Sequence, residues 1–88
     1  MKIVNTEDNR LLLEEMAFDC GLVISTHYDT NIKPMKPIGY SLHIYRTSEP
    51  VLEYPYYTWE DFAKQLAQGV ELPGGDALRD RIISEWGD

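Results

Sequence analysis

Tyr54-Pro55-Tyr56-Tyr57-Thr58-Trp59-Glu60-Asp61-Phe62-Ala63-Lys64-Gln65-Leu66-Ala67-Gln68-Gly69 is the stretch that decides the fold. It reads as the end of a strand running into a capped helix. The Thr58 hydroxyl is placed to accept from the free N–H groups of the first turn. Asp61 stands three residues on, where a capping box carries its acid. Glu60 and Asp61 put negative charge at the positive end of the helix dipole. Trp59, Phe62, Ala63 and Leu66 recur at helical spacing and form one apolar stripe. Gly69 supplies the left-handed residue on which helices end, and Val70 can pack back against it. The four aromatics from Tyr54 to Trp59 predict that the core is fastened here.

Upstream, Asn5 or Thr6 caps a first helix with Glu7 and Asp8 in its first turn. Leu12, Leu13, Met16, Ala17 and Cys20 lie on one side of it, and Gly21 is its stop. Leu22 to Tyr28 alternates as a strand, and Asp29 to Ile38 is a loop stiffened by Pro34 and Pro37. Gly39 to Thr47 is the clearest strand, with Tyr40, Leu42 and Ile44 alternating with Ser41, His43 and Tyr45. Ser48-Glu49-Pro50 is a turn, and Val51 to Tyr57 is a third strand that Pro55 confines to an edge or a bulge. Downstream, Leu72-Pro73-Gly74-Gly75 breaks the chain, Asp76 caps, and a last helix carries Leu78, Ile82, Ile83 and Trp86.

These elements predict a single small α+β domain spanning residues 1–88, in the order α-β-β-β-α-α. Short loops favour neighbouring hairpins, so the expected sheet is a three-stranded antiparallel meander with the helices packed on one face. Its inner face takes Leu22, Ile24, Tyr40, Leu42, Ile44, Leu52 and Tyr54. Its outer face shows Ser25, His27, Ser41, His43, Tyr45, Glu53 and Tyr57.

A chain of 88 residues holds one modest core, and 43% hydrophobic residues place it among globular proteins. The single cysteine excludes an internal disulfide and a cysteine-based metal site. Met1-Lys2-Ile3-Val4-Asn5 turns polar too soon for a signal peptide, and no apolar run approaches the ~20 residues that span a bilayer. The expected location is the cytoplasm. The net charge of −7 is uneven: six acids face five bases up to Ser48, and nine face three from Glu49 onward. Such a surface repels nucleic acid and anionic membranes, and it is drawn to basic protein surfaces.

His27 and His43 are the only histidines, and the predicted register puts both on the outer face near Glu53. Two imidazoles so placed can hold zinc with an open position, or act as acid and base. Their separation matches no local ligand motif, so no metal, no cofactor and no catalytic residue is expected. Cys20 sits at the end of a helix that does not stabilise a thiolate. Ser25, His27 and Asp29 alternate along one strand and cannot converge as a triad must. Pro73 to Asp76 lacks the lysine and glycine pattern of a phosphate loop. Lys33, Met35 and Lys36, in the loop with two prolines, are candidates for contact with an acidic partner. Tyr45 and Tyr57 are candidate interface anchors.

The α-β-β-β-α order resembles the double-stranded-RNA-binding domain. That family carries a basic cluster where Thr58-Trp59-Glu60-Asp61 stands here, so RNA binding is not implied. Length, acidity and element order are also similar to those of small phage inhibitors of Cas9-type nucleases. This resemblance, carried by architecture and charge over the whole chain, implies carboxylates presented where the PAM duplex would sit. The expected function is non-enzymatic binding of a protein partner with a basic surface. Glu49, Glu53, Glu60, Asp61, Asp76 and Asp80 are the expected contact acids. In its narrower form the protein is an acidic nucleic-acid mimic of phage origin that inhibits a nucleic-acid-binding protein. The alternative is a structural or regulatory subunit that binds, or homodimerises, through its tyrosine-bearing sheet. A remote third is a small metal-dependent enzyme using His27 and His43.

Overall fold

Helix α1 (Glu7–Asp19) begins where the Thr6 hydroxyl accepts the Asn9 N–H at 3.2 Å, so Thr6 rather than Asn5 is the cap. It buries Leu13, Met16 and Ala17, with Leu12 and Cys20 packed at the margin. A computed structural model describes residues 1–47, 50–55 and 58–87, with the backbone alone at Pro55. Ser48, Glu49, Tyr56, Tyr57 and Asp88 therefore lie outside the described residues. Three strands follow, β1 (Leu22–Asp29), β2 (Lys36–Ile44) and β3 (Leu52–Pro55), in one antiparallel sheet of order β1-β2-β3. Helices α2 (Trp59–Leu66) and α3 (Gly75–Trp86) complete the predicted α-β-β-β-α-α order.

Strand β2 departs from the expected Gly39–Thr47 at both ends. It starts at Lys36 because the hairpin continues past Gly39: Tyr28 pairs with Pro37, and Asp29 with Lys36. The register shifts between His27 and Tyr28, and Ile38 is passed over. This bulge brings Pro37 onto the side where Tyr40 stands. Among the described residues, β3 pairs with β2 only from Gly39 onward. At the far end Arg46 takes a left-handed φ of 70°, and the Thr47 N–H turns back to the Ile44 carbonyl at 3.0 Å.

The inner face is the predicted one. Leu22, Tyr40 and Leu42 are buried, and Ile24, Ile44, Leu52 and Tyr54 pack against them. The strand-to-helix stretch does fasten this core. Trp59, Phe62, Ala63 and Leu66 of α2 are all buried, and the Phe62 ring lies 5.4 Å from Tyr40 and 5.2 Å from Tyr54. Thr58 caps α2 by accepting the Asp61 N–H at 3.3 Å. Trp59 also meets Trp86 at the end of α3, with ring centroids 6.3 Å apart.

Helix α3 corrects two expectations. Its cap is Gly74, at a φ of 87°, and not Asp76, which is exposed in the first turn. The reason is steric: a Cβ on Gly74 would run into the Cys20 carbonyl oxygen, and one on Gly75 into that of Val70. The two glycines seat the helix start against both backbones. Ile83 is exposed, because the buried row runs through Leu78 and Ile82 and the next residue turns about 100° away.

Candidate functional site

Two helices begin side by side. The first turn of α1 carries Glu7 and Asp8, and that of α2 carries Glu60 and Asp61. Nothing local in the sequence joins residues so far apart; the fold does, since α1 packs on β1, and α2 on Tyr40 of the neighbouring β2. Between the helix starts and β2 lies a cleft of about 500 Å³, lined by Asn5, Thr6, Glu7, Arg10, Pro37, Tyr40, Thr58, Trp59 and Glu60. The Trp59 indole N–H donates to Asn5 Oδ1 at 2.6 Å and ties the two helix starts together.

The charges in the cleft are only partly paired. Arg10 reaches Glu14 at 3.2 Å and Glu7 at 3.5 Å, so its guanidinium is already shared between two carboxylates. Glu60 is half-buried, and its Oε1 has no exposed surface and no hydrogen-bond partner among the described residues. The Tyr40 hydroxyl lies within reach of these charges. Its pKa is raised, chiefly because burial disfavours the phenolate, and the charges of Tyr28 and Glu60 add to the rise. Arg10 and a backbone hydrogen bond with Trp59 pull the other way. The cleft is thus an opening with a largely apolar lining, at whose sides two carboxylates, Glu7 and Glu60, face one guanidinium, Arg10. Of its residues, sequence reasoning named only Glu60 as a contact residue; Tyr40 and Trp59 read as core from their spacing, which they also are.

The other expected contact acids do not gather at this cleft. Asp76 and Asp80 both pair with Arg79, at 3.5 and 3.0 Å, beside a second depression lined in part by Gln68, Glu71 and Leu72. Glu53 is exposed on β3, paired opposite Ser41 on the sheet face away from the helices. Glu49 and Tyr57 lie outside the described residues. Tyr45 falls beyond the last residue of β2, and its ring packs edge-on against Phe18 of α1 at 5.4 Å with Arg46 over it. The left-handed turn at Arg46 ends the strand there, so Tyr45 belongs as much to the end of α1 as to the sheet. Lys33, Met35 and Lys36 are exposed around the β1–β2 turn.

His27 and His43 do converge. The Nε2 atom of each lies 2.9 Å from the Ser41 hydroxyl oxygen. One hydroxyl proton serves one of these two bonds only, so at least one imidazole carries its own proton on Nε2. Ser41 has no exposed surface, so its oxygen has no path to an external substrate in this arrangement. Among the described residues no group of three or more His, Cys, Asp or Glu is placed to hold a metal ion. No helix of the described residues is long and apolar enough to cross a membrane. Comparison with protein families, with curated proteins and with solved structures finds no match to the chain.

Proposed function

We propose that the protein is a non-enzymatic binding module that engages a basic surface of a protein partner with the end where α1 and α2 begin. One observation carries the reading: the first turns that hold Glu7, Asp8, Glu60 and Asp61 border a single cleft. Carboxylates on helices hold their positions at little entropic cost, and a cationic partner meets them already placed. Asp76 and Asp80 contribute less, because Arg79 already cancels one charge of that pair. In the narrower form of the proposal the partner is a nucleic-acid-binding protein and the acids stand in for phosphates.

The experiment is affinity capture, followed by titration of the captured protein with two double variants at low and high salt. Glu60→Gln with Asp61→Asn is expected to weaken binding by roughly tenfold or more at low salt, and by less at high salt. Asp76→Asn with Asp80→Asn is expected to change it little. Equal affinity for all three proteins at both salt concentrations overturns the proposal. A second reading then takes precedence, favoured by the contact between half-exposed Phe18 and Tyr45 with exposed Leu11 one face along α1. Binding or self-association there would be insensitive to salt and would fall in Tyr45→Ala.

A further inference from the structure

We infer that the free edge of β1 pairs with the same edge of a second copy of this chain, joining two three-stranded sheets across a two-fold axis. The inference is independent of the proposed function, whose acids lie at the starts of α1 and α2. Among the described residues β1 hydrogen-bonds as a strand to β2 alone, so it is an outer strand of the sheet. Which of its groups face outward follows from the ladder. The Gly21 carbonyl accepts the Tyr45 N–H at 2.9 Å, in the same register that pairs Leu22 with Ile44. Bonded pairs alternate along antiparallel strands, so Val23, Ser25 and His27 direct their N–H and C=O groups to β2. Leu22, Ile24 and Thr26 turn theirs to the outer edge. Leu22 is fully buried, whereas Ile24 and Thr26 keep part of their surface and His27 and Tyr28 are exposed, so the open edge begins at Ile24. Unpaired backbone groups on such an edge are a template for another strand.

The two edges of the sheet are not alike. The other outer strand, β3, has four residues and carries Glu53 and Pro55, devices that discourage an added strand. Strand β1 has eight residues, and from Leu22 to Tyr28 it carries no proline, glycine, lysine or carboxylate. The bulge in its pairing with β2 lies only at its far end, past His27. Charge selects a second copy as the added strand. Two chains of net charge −7 repel, so a contact between them belongs where carboxylates are absent, and β1 has none before Asp29. Antiparallel pairing around Ser25 sets Ile24 of each copy against Thr26 of the other and keeps the two Asp29 side chains at opposite ends. It also carries the exposed hairpin beyond β1, with Lys33 and Lys36, toward the end of the other copy where α1 stops and α3 starts. There Glu71 and Asp76 line one depression with a single arginine, Arg79. The basic loop of each chain thus meets an acidic end of the other, and the two-fold closes both β1 edges at once.

The test is sedimentation equilibrium on the whole protein from about 30 µM to about 0.5 mM, with amide hydrogen exchange by NMR at both ends of that range. A reversible dimer is expected. The amides of Ile24 and Thr26 should gain protection as it forms, while those of Val23, Ser25 and His27 are protected at both concentrations. Thr26→Pro removes an outward N–H and no bond to β2, and it should weaken association by about tenfold or more. Should that variant fail to fold, Ser25→Lys sets two like charges against each other on the axis and should weaken association as much. Tyr45→Ala should leave it unchanged. A dimer that Tyr45→Ala dissolves and Ser25→Lys does not belongs to the contact of Phe18 with Tyr45, and it overturns the inference. So does a monomer at about 0.5 mM, which leaves the edge to a strand of another protein. A dimer in which the Ile24 and Thr26 amides exchange as fast as in the monomer overturns it too.

Discussion

Tyr40 shows how one residue serves both the core and the cleft. Its ring packs on Phe62, and the charges of Arg10, Tyr28 and Glu60 act on its hydroxyl. Burial raises its pKa above the ordinary 10.0, so the folded state holds the phenolic proton more tightly than the unfolded chain does. That contribution to stability is complete below about pH 10 and is lost as pH rises through the folded-state value. Tyr40→Phe has no proton to lose. It should therefore lose less stability than the wild type as pH rises above about 10, as read by urea unfolding at a series of pH values. An alkaline loss of stability as steep as that of the wild type would show that Tyr40 is not its source. Ser41 is the opposite case, a small polar residue with no exposed surface, satisfied by two imidazoles on the outer face.

At the scale of elements, α2 is short, with eight residues, yet four of them are buried. A helix of that length is unstable alone, so its stability comes from packing against the sheet. Phe62 is its centre, fully buried between Tyr40 and Tyr54. Phe62→Ala should cost ~3–5 kcal/mol, out of a total that for such domains is only ~5–15 kcal/mol. The melting temperature should fall by about 15 °C or more by circular dichroism, whereas Ile83→Ala on the exposed side of α3 should move it by only about 2 °C. A similar small change for both would mean that α2 is not what holds the sheet and helices together. The hairpin of β1 and β2 behaves differently: beyond the bulge its residues are mostly exposed, and it lends the cleft one wall, Pro37, without being part of the core.

For the whole molecule the dominant fact is a net charge of −7. The ion pairs of Arg10, Arg79 and Arg81 are all at least partly exposed, and pairs of that kind contribute little. Repulsion among the remaining carboxylates therefore outweighs them and opposes compaction. Raising NaCl from about 0.02 M to about 0.2 M shortens the screening length to about 7 Å and should raise the melting temperature. A fall over that range would mean that local ion pairs, not net repulsion, set the balance. The same salt weakens the proposed partner binding, so stability and affinity should move in opposite directions.

The order of elements, the inner face of the sheet and the apolar stripe of α2 were legible in the sequence because each follows from a local period or a cap. Thr58 caps through its own hydroxyl, and Leu22, Tyr40 and Leu42 are buried by simple alternation. Alternation also placed His27 and His43 on one face, but only the pairing of β1 with β2 brings both rings onto Ser41. Other features depend on residues distant in the chain. Gly74 rather than Asp76 caps α3 because the Cys20 carbonyl leaves no room for a side chain there. Arg79 takes up Asp76 and Asp80, and the bulge turns Pro37 toward Tyr40, neither of which a period can announce. The cleft itself belongs wholly to the tertiary structure. Glu7 and Glu60 are each unremarkable as acids in a first turn, and they share a site only because the fold brings two helix starts to one cleft.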